Sequence, residues 1–452
     1  MTLPRRTLPT LLALAALSAA AAAPTSALAD APWTPPAMIP GAADLVTPLT
    51  ITAAGHGVAL AAADRSGAAP AGAASQLVAL GADGRPSGPA RGLPIAAGQL
   101  ATYASDRIVV AGDTLDARGT ISGQSRVQVA FGSATGAVGA LRGLSNSSGE
   151  NVLGLASDPK GDVALLTGNT ARRRLWLRRP GSTAFRLALT IPVSNRGRGA
   201  TVAVGSRGDV LVVWEDNHHI FTRHLGRTGH PGAVHRIGDG VQSQLQAAID
   251  GTGRELVAWA SQRVNEGEAA TPATVFFATA APGHGFGAAR RLEAPVATGA
   301  SAAVSAPAVR LVVGAGDATV LAFNGLEGTR NVVRAATIAG GHVGAPQVVS
   351  GATGDAVLGD VAVGRNGAAV ILWRGRAAGD AASAGLTTVV ATIRPASGAA
   401  FGPPEAVSPA GINVPVAPTV AADPANGGAL ALLPKLAPDG GLLVTARPSV
   451  AG

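Results

Sequence analysis

The sequence predicts an all-β fold, an eight-bladed β-propeller of four-stranded antiparallel blades, with an N-terminal strand closing the last blade. Three observations carry this. First, a phrase recurs in which a glycine turn leads into an apolar run ending on a bulky residue six positions later: Gly208 to Trp214, Gly253 to Trp259 and Gly367 to Trp373. Repeats at this scale belong to solenoids, propellers or arrays. Second, those runs are apolar at consecutive positions rather than alternating ones, the mark of strands covered on both faces. Third, Trp33-Thr34-Pro35-Pro36-Ala37-Met38-Ile39 near the start repeats the phrase Phe401-Gly402-Pro403-Pro404-Glu405-Ala406-Val407 near the end.

The elements follow in chain order. Residues 1–29 read as a secretory signal peptide: a basic start at Arg5 and Arg6, an apolar run from Leu11 to Ala23, and the small-residue site Ala27-Leu28-Ala29. The run is shorter than the roughly 20 residues a bilayer span takes, so no stable membrane insertion is expected. The arginine pair hints at twin-arginine export, but Pro9 stands where that signal prefers an apolar residue. Residues 30–452 are then one propeller domain. Its units are marked by Gly57–Ala63, Asp106–Ala111, Gly161–Thr167, Gly208–Trp214, Gly253–Trp259, Asp317–Phe323, Gly367–Trp373 and Gly428–Leu433. The clearest unit gives strands at Thr201–Val204, Asp209–Trp214, Ile220–His224 and Ala233–Ile237, with Gly and Asp at the joins. The last unit shows three strands, near Thr419–Ala422, Ala429–Leu433 and Leu442–Thr445, and lacks a fourth. The Trp33–Ile39 segment supplies it, beside Leu442–Thr445. Prolines suit such an edge strand, where a missing donor is tolerated. Seven blades is the alternative count.

Composition narrows the function. There is no cysteine, which removes disulfides, thiolate metal sites and a lipoprotein anchor. Loss of Arg5 and Arg6 with the leader takes the net charge from +8 to +6. Lys160 and Lys435 are the only lysines, so the positive charge is almost all arginine. Codon usage of a GC-rich genome accounts for this bias; selection for an anionic partner is the other reading. Few aromatics and no reading motif argue against nucleic acid.

The Gly-x5-Trp phrases and the Phe-Gly joins at Phe286-Gly287 and Phe401-Gly402 make the chain resemble secreted β-propeller-like repeat proteins of high-GC bacteria. The WD40, kelch and sialidase signatures are missing. The resemblance implies a fold and an extracytoplasmic setting, and it carries no catalytic residues.

The candidate site lies just after strand B, where Asp64, Asp113, Asn169, Glu215, Gln262, Asn324 and Arg374 occupy equivalent polar positions in the first seven units. Loops on a rigid scaffold are where binding concentrates. Arg172, Arg173 and Arg174 lead into Leu175-Trp176-Leu177 and form the best basic patch, suited to a phosphate or carboxylate clamp. Arg174 and Trp176 are expected to share a strand face. Trp214, Trp259 and Trp373 read as packing between blades. His218, His219, His224, His230 and His235 fall in one unit with Glu215 and Asp216, but their spacing along a strand spreads them too far for a metal site. Arg207-Gly208-Asp209 is a hairpin turn rather than an adhesion motif. No nucleophile elbow or zinc-protease helix is present.

These readings converge on an exported, non-catalytic binding or scaffolding module. Its candidate face comprises Asp113, Asn169, Arg172, Arg173, Arg174, Glu215, Asp216, His218, Gln262, Asn324 and Arg374. An anionic cell-envelope polymer or an extracellular protein is the expected partner, with no cofactor, no metal and a monomeric state. The alternative is a propeller glycoside hydrolase or polysaccharide lyase using Asp113, Glu215 or Asp216.

Overall fold

Every assigned element of the computed structural model is a β-strand. The structure describes residues 33–448 apart from 44–47, 64–72, 115–125, 136–137, 145–148, 195–198, 241–243, 262–273, 294–307, 315–316, 329, 352–353, 365, 377–387, 409–415, 425–426 and 436–440. The expected leader, Asp64 and Gln262 therefore lie outside the described residues.

Eight antiparallel sheets follow one another along the chain. Blade 1 is Leu49–Ile51, Gly57–Ala62, Ser75–Leu80 and Arg91–Leu93. Blade 2 is Ile95–Tyr103, Arg107–Thr114, Val127–Ser133 and Arg142–Gly143. Blade 3 is Asn151–Ser157, Val163–Gly168, Arg172–Arg178 and Arg186–Pro192. Blade 4 is Ala200–Val204, Val210–Asp216, His219–Leu225 and Pro231–Asp239. Blade 5 is Gln244–Ile249, Glu255–Ser261, Thr274–Ala280 and Arg290–Glu293. Blade 6 is Val309–Val313, Thr319–Glu327 and Arg330–Ala339, with an outer strand split into His342–Val343 and Gln347–Val348. Blade 7 is Ala356–Val363, Ala369–Gly375, Thr388–Arg394 and Glu405–Ala406. Blade 8 is Thr419–Ala422, Ala429–Lys435 and Gly441–Arg447, completed by Ala37–Ile39. The count is eight, not seven. The strands of each blade are called A to D in ladder order. Each A strand touches the A strands of both neighbouring blades in an unbroken circuit, which places them around the central axis.

The consecutive apolar residues of the B strands explain the ring. Val210 to Trp214 is buried throughout, as are Leu256 to Ala260 and Ala369 to Trp373. Alternate residues of one strand enter different seams. Val210, Val212 and Trp214 join the apolar cluster shared with blade 3, while Leu211 and Val213 join the one shared with blade 5. Each tryptophan faces the preceding blade. Trp214 stacks on Phe221 at 5.7 Å and Trp259 on Phe276 at 5.3 Å. Trp373 fills the seam between blades 6 and 7. The turn before strand B requires φ above zero, and Gly208 supplies it at +81°.

Closure occurs as the repeated chain-end phrase predicts. Ala37, Met38 and Ile39 pair antiparallel with Val444, Leu443 and Leu442. The Thr34 amide donates to the Ala446 carbonyl at 2.8 Å. The Trp33 indole donates to Glu405 of blade 7 at 2.8 Å, and Arg447 donates to the same oxygen at 3.0 Å. The latch thus grips two blades at once.

Blade 4 departs from the expected strand ends in one informative way. Strand B runs on through Glu215 and Asp216, then reverses over Asn217 and His218, whose φ values are +46° and +66°. Positive φ at both central residues is the two-residue hairpin whose twist matches its strands. Glu215 and Asp216 are therefore ladder residues, not loop residues.

Candidate binding face and its seams

One face of the ring carries the B–C turns and the D–A connections; Asp113, Glu215, Asn324 and Arg374, expected just after strand B, lie within it, and Asn169 follows it directly. Several of these side chains cross a seam to a main-chain amide of the next blade. Asp113 accepts from the Val152 amide at 3.1 Å, and Asn324 accepts from the Leu358 amide at 2.8 Å. Two residues the sequence reading missed do the same from strand A: Gln244 accepts from Val309 at 2.8 Å and Asp360 from Val420 at 3.1 Å. Buried main-chain donors need partners, and these side chains provide them while fastening blade to blade. Asp360 also accepts from Arg310 of blade 6 at 3.3 Å, so it links three blades. Burial pushes the Asp360 carboxyl up, opposed by Arg310. Asp113 is buried and its pKa is raised by burial to about 6, with the Val152 amide acting in the other direction.

The arginine run of blade 3 is divided by strand alternation. Arg172, Arg174, Trp176 and Arg178 share the face toward blade 2, which confirms the expected pairing of Arg174 with Trp176 on one side. Trp176 packs there with Ala111, Val127 and Val129. The organising group is Glu150, buried just before strand A. Its carboxylate accepts from Arg172 at 2.8 Å and from Arg174 at 3.0 Å. It also accepts from Thr167 at 2.8 Å, whose hydroxyl takes the Trp176 indole N–H at 3.1 Å. Arg173 faces blade 4 with Leu175 and Leu177. It donates to the Asn169 carbonyl and, at 3.2 Å, to that of Arg172. Burial lowers its pKa, and Asp216 of blade 4 pulls the other way. Asn169 caps the B–C turn, accepting from the Ala171 amide at 2.9 Å and the Arg172 amide at 3.2 Å. The Arg172 side chain, 38% exposed, is the one of the three most open to solvent.

The remaining predicted residues stand apart. Glu215 is buried on the side of strand B toward blade 5, the side of Val213. Asp216 points the opposite way and accepts from the Ser194 amide at 2.8 Å and hydroxyl at 2.5 Å. His218 is exposed in the hairpin turn. The histidines of blade 4 spread out: His219 binds Asp239 at 2.9 Å, His230 meets Thr228 at 3.0 Å, and His224 crosses to Glu255 of blade 5. That contact with Glu255 raises the His224 pKa. Arg374 is half-buried in blade 7, and burial lowers its pKa. Among the described residues, no three His, Asp or Glu side chains group as metal ligands, and no helix is long and apolar enough to cross a membrane.

Ring, latch and seams together define an eight-bladed β-propeller. No protein-family model matches the sequence, and no match is found among curated proteins. Solved structures of several kinds are similar to it. TolB from Acinetobacter baumannii shares 16% identity over 67% of each chain, with a TM-score of 0.34. The alpha-L-arabinanase of Penicillium chrysogenum, complexed with arabinobiose, shares 12% over 66% of this chain and 93% of that one, with a TM-score of 0.34. A PL25 polysaccharide lyase, an ulvan lyase, shares 10% over 74% of this chain and 89% of that one, with a TM-score of 0.43. At these values the likeness carries no argument about activity.

Proposed function

We propose that the protein is an exported, non-catalytic binding propeller that presents its B–C face to an anionic polymer of the cell envelope. One observation supports this above the rest: three carboxylates of that face are committed to the frame. Asp113 holds Val152, Glu150 holds Arg172 and Arg174, and Asp216 holds Ser194. Glu215 and Asp216 point to opposite sides of one strand, and Asp113 lies in a different seam. Glycoside hydrolysis needs two carboxyl groups facing one bond, about 5–10 Å apart, and this arrangement favours no such pair. The positive charge of the chain and the solvent-facing part of Arg172 suit a carboxylate- or phosphate-bearing polymer.

The test incubates purified residues 30–452 with polygalacturonate and with a polyphosphate wall polymer. Binding is read by interferometry, and product formation by reducing-end release and ultraviolet absorbance. Binding without product is expected, weakening by about threefold to tenfold on Arg172→Ala. Product formation that disappears in Asp113→Asn or Asp216→Asn would establish an enzyme instead.

A further inference from the structure

The face opposite the B–C turns holds a partly open cavity of about 1160 Å³. It lies where the A–B turn of blade 1 meets the C–D connection of blade 1 and the C–D turn of blade 2, with Asp423 of blade 8 at its inner end. Its floor is small and largely apolar, including Leu77, Ala79, Pro89, Ala90 and Ala134. Among the lining residues its ionisable groups are His56, Arg91 and Asp423.

The fold does not require this space. At the same end of the next seam, between blades 2 and 3, strand C sets Phe131 toward the neighbour. There the Arg178 guanidinium lies 4.7 Å from both the Tyr103 and the Phe131 ring centroids, and Phe131 stacks on Phe185 at 5.8 Å. Strand C of blade 1 has Leu77 and Ala79 on the corresponding face; Leu77 packs toward blade 2, and Ala79 shares its side by alternation. An alanine thus stands where the neighbouring seam has a phenylalanine. The wall is also open at Gly88, where a Cβ would meet nothing within 4 Å.

The cavity has a built polar element. His56 Nδ1 contacts Asp106 of blade 2 at 2.9 Å, and the Thr52 hydroxyl donates to the same carboxylate oxygen at 3.3 Å. A carboxylate that accepts from Nδ1–H fixes the imidazole's orientation and leaves Nε2 as an acceptor for a ligand hydroxyl or N–H. The turn that carries Asp106 holds Ala104 at a φ of +54°, a costly conformation for a residue with a Cβ, of the kind that concentrates at functional sites.

We propose that this cavity binds a small amphiphilic organic anion. The apolar body lies on Leu77, Ala79, Pro89, Ala90 and Ala134, and the carboxylate meets Arg91. The volume is at or above the upper end for small-molecule pockets, which run to about 1,000 Å³, and the lining has no aromatic ring for a sugar to stack on. The site is on the face away from the one assigned to the envelope polymer, so it stands or falls independently of that reading.

Calorimetric titration of residues 30–452 with sodium 2-naphthoate and with sodium decanoate tests it, the two probes separating an aromatic acid from a lipid-derived one. Saturable one-to-one binding of either is expected. Replacing naphthoate by neutral 2-naphthamide should weaken binding about tenfold, as should Arg91→Glu. Ala79→Phe, which copies the filled seam, should abolish it. Should Ala79→Phe fail to fold by circular dichroism, Arg91→Glu decides. The proposal is overturned if neither acid binds, if naphthamide binds as well as naphthoate, or if affinity survives the folded variants unchanged.

Discussion

Two adjacent seams of the ring share an architecture and differ in what fills them. Both have a central apolar layer, with Leu60, Ile108 and Val110 between blades 1 and 2, and Ala111, Leu165 and Trp176 between blades 2 and 3. The second seam is further pinned along its length. Glu150 gathers Arg172 and Arg174 at the B–C end, Asp113 holds Val152, and Arg178 lies against Tyr103 and Phe131 at the other end. On the cavity face the first seam is crossed by His56 and Thr52, both to Asp106, and by the Ala54 amide to the Ser105 carbonyl, beside open space. The stacked sheets need the apolar layer, because both faces of each blade must be dry. The polar and aromatic fasteners are local additions, and a seam with no aromatic filler at one end leaves space there.

That contrast can be broken most severely at Glu150. Glu150→Ala strips the partner from Arg172 and Arg174, and removing one side of a buried ion pair costs about 3–5 kcal/mol. Denaturant titration should show a fall of that order, with part of it recovered when both arginines are also made alanine. Phe131→Ala comes next, expected to cost about 3 kcal/mol by loss of a packed ring. Combined with Arg178→Ala in a double-mutant cycle it should reveal a coupling of about 1 kcal/mol; no coupling would mean the guanidinium does not depend on the ring.

Asp113 gives a pH-dependent probe of the same pinned seam. Its folded pKa of about 6 lies above the ordinary 3.8, so the folded state holds the proton more tightly than the unfolded chain. Asp113 therefore makes stability fall as pH rises from about 4 to about 6, after which its contribution is flat. Asp113→Asn keeps an oxygen for the Val152 amide and removes the charge. It should flatten that part of the profile and raise stability at pH 7.5 by roughly 1–3 kcal/mol. An unchanged slope across this window would show that the carboxyl is not held neutral by burial. The smallest effect is expected in the open seam, where Ala79→Phe should shift stability by less than about 1 kcal/mol in either direction. A loss of several kcal/mol there would show the space to be smaller in solution.

Much of the architecture was legible because it is written in local repetition. The runs ending at Trp214, Trp259 and Trp373 announced two-sided burial, and the match of Trp33–Ile39 to Phe401–Val407 announced the closing strand. The candidate face was legible only as positions. Asp113 and Asn324 were expected just past strand B but belong to it, and nothing local shows that their oxygens reach Val152 and Leu358 of the following blades. Glu150 was missed because a lone acid before an apolar strand resembles any loop acid. Its signal was in the same unit: an arginine run needs a counter-charge nearby. His56 and Asp106 are fifty residues apart, and no spacing rule joins them.

The sequence by itself determined the repeating blade, its strand order, the two-sided burial of strand B and the way the ring shuts, because each depends on short-range periodicity and turn chemistry; between eight and seven blades it left a choice that the structure made. Only the tertiary structure decided which arginines are neutralised, which polar ends are fasteners and where space is left. Those outcomes depend on which side chains the closed ring brings face to face across a seam, and residues on separate blades have no fixed separation along the chain.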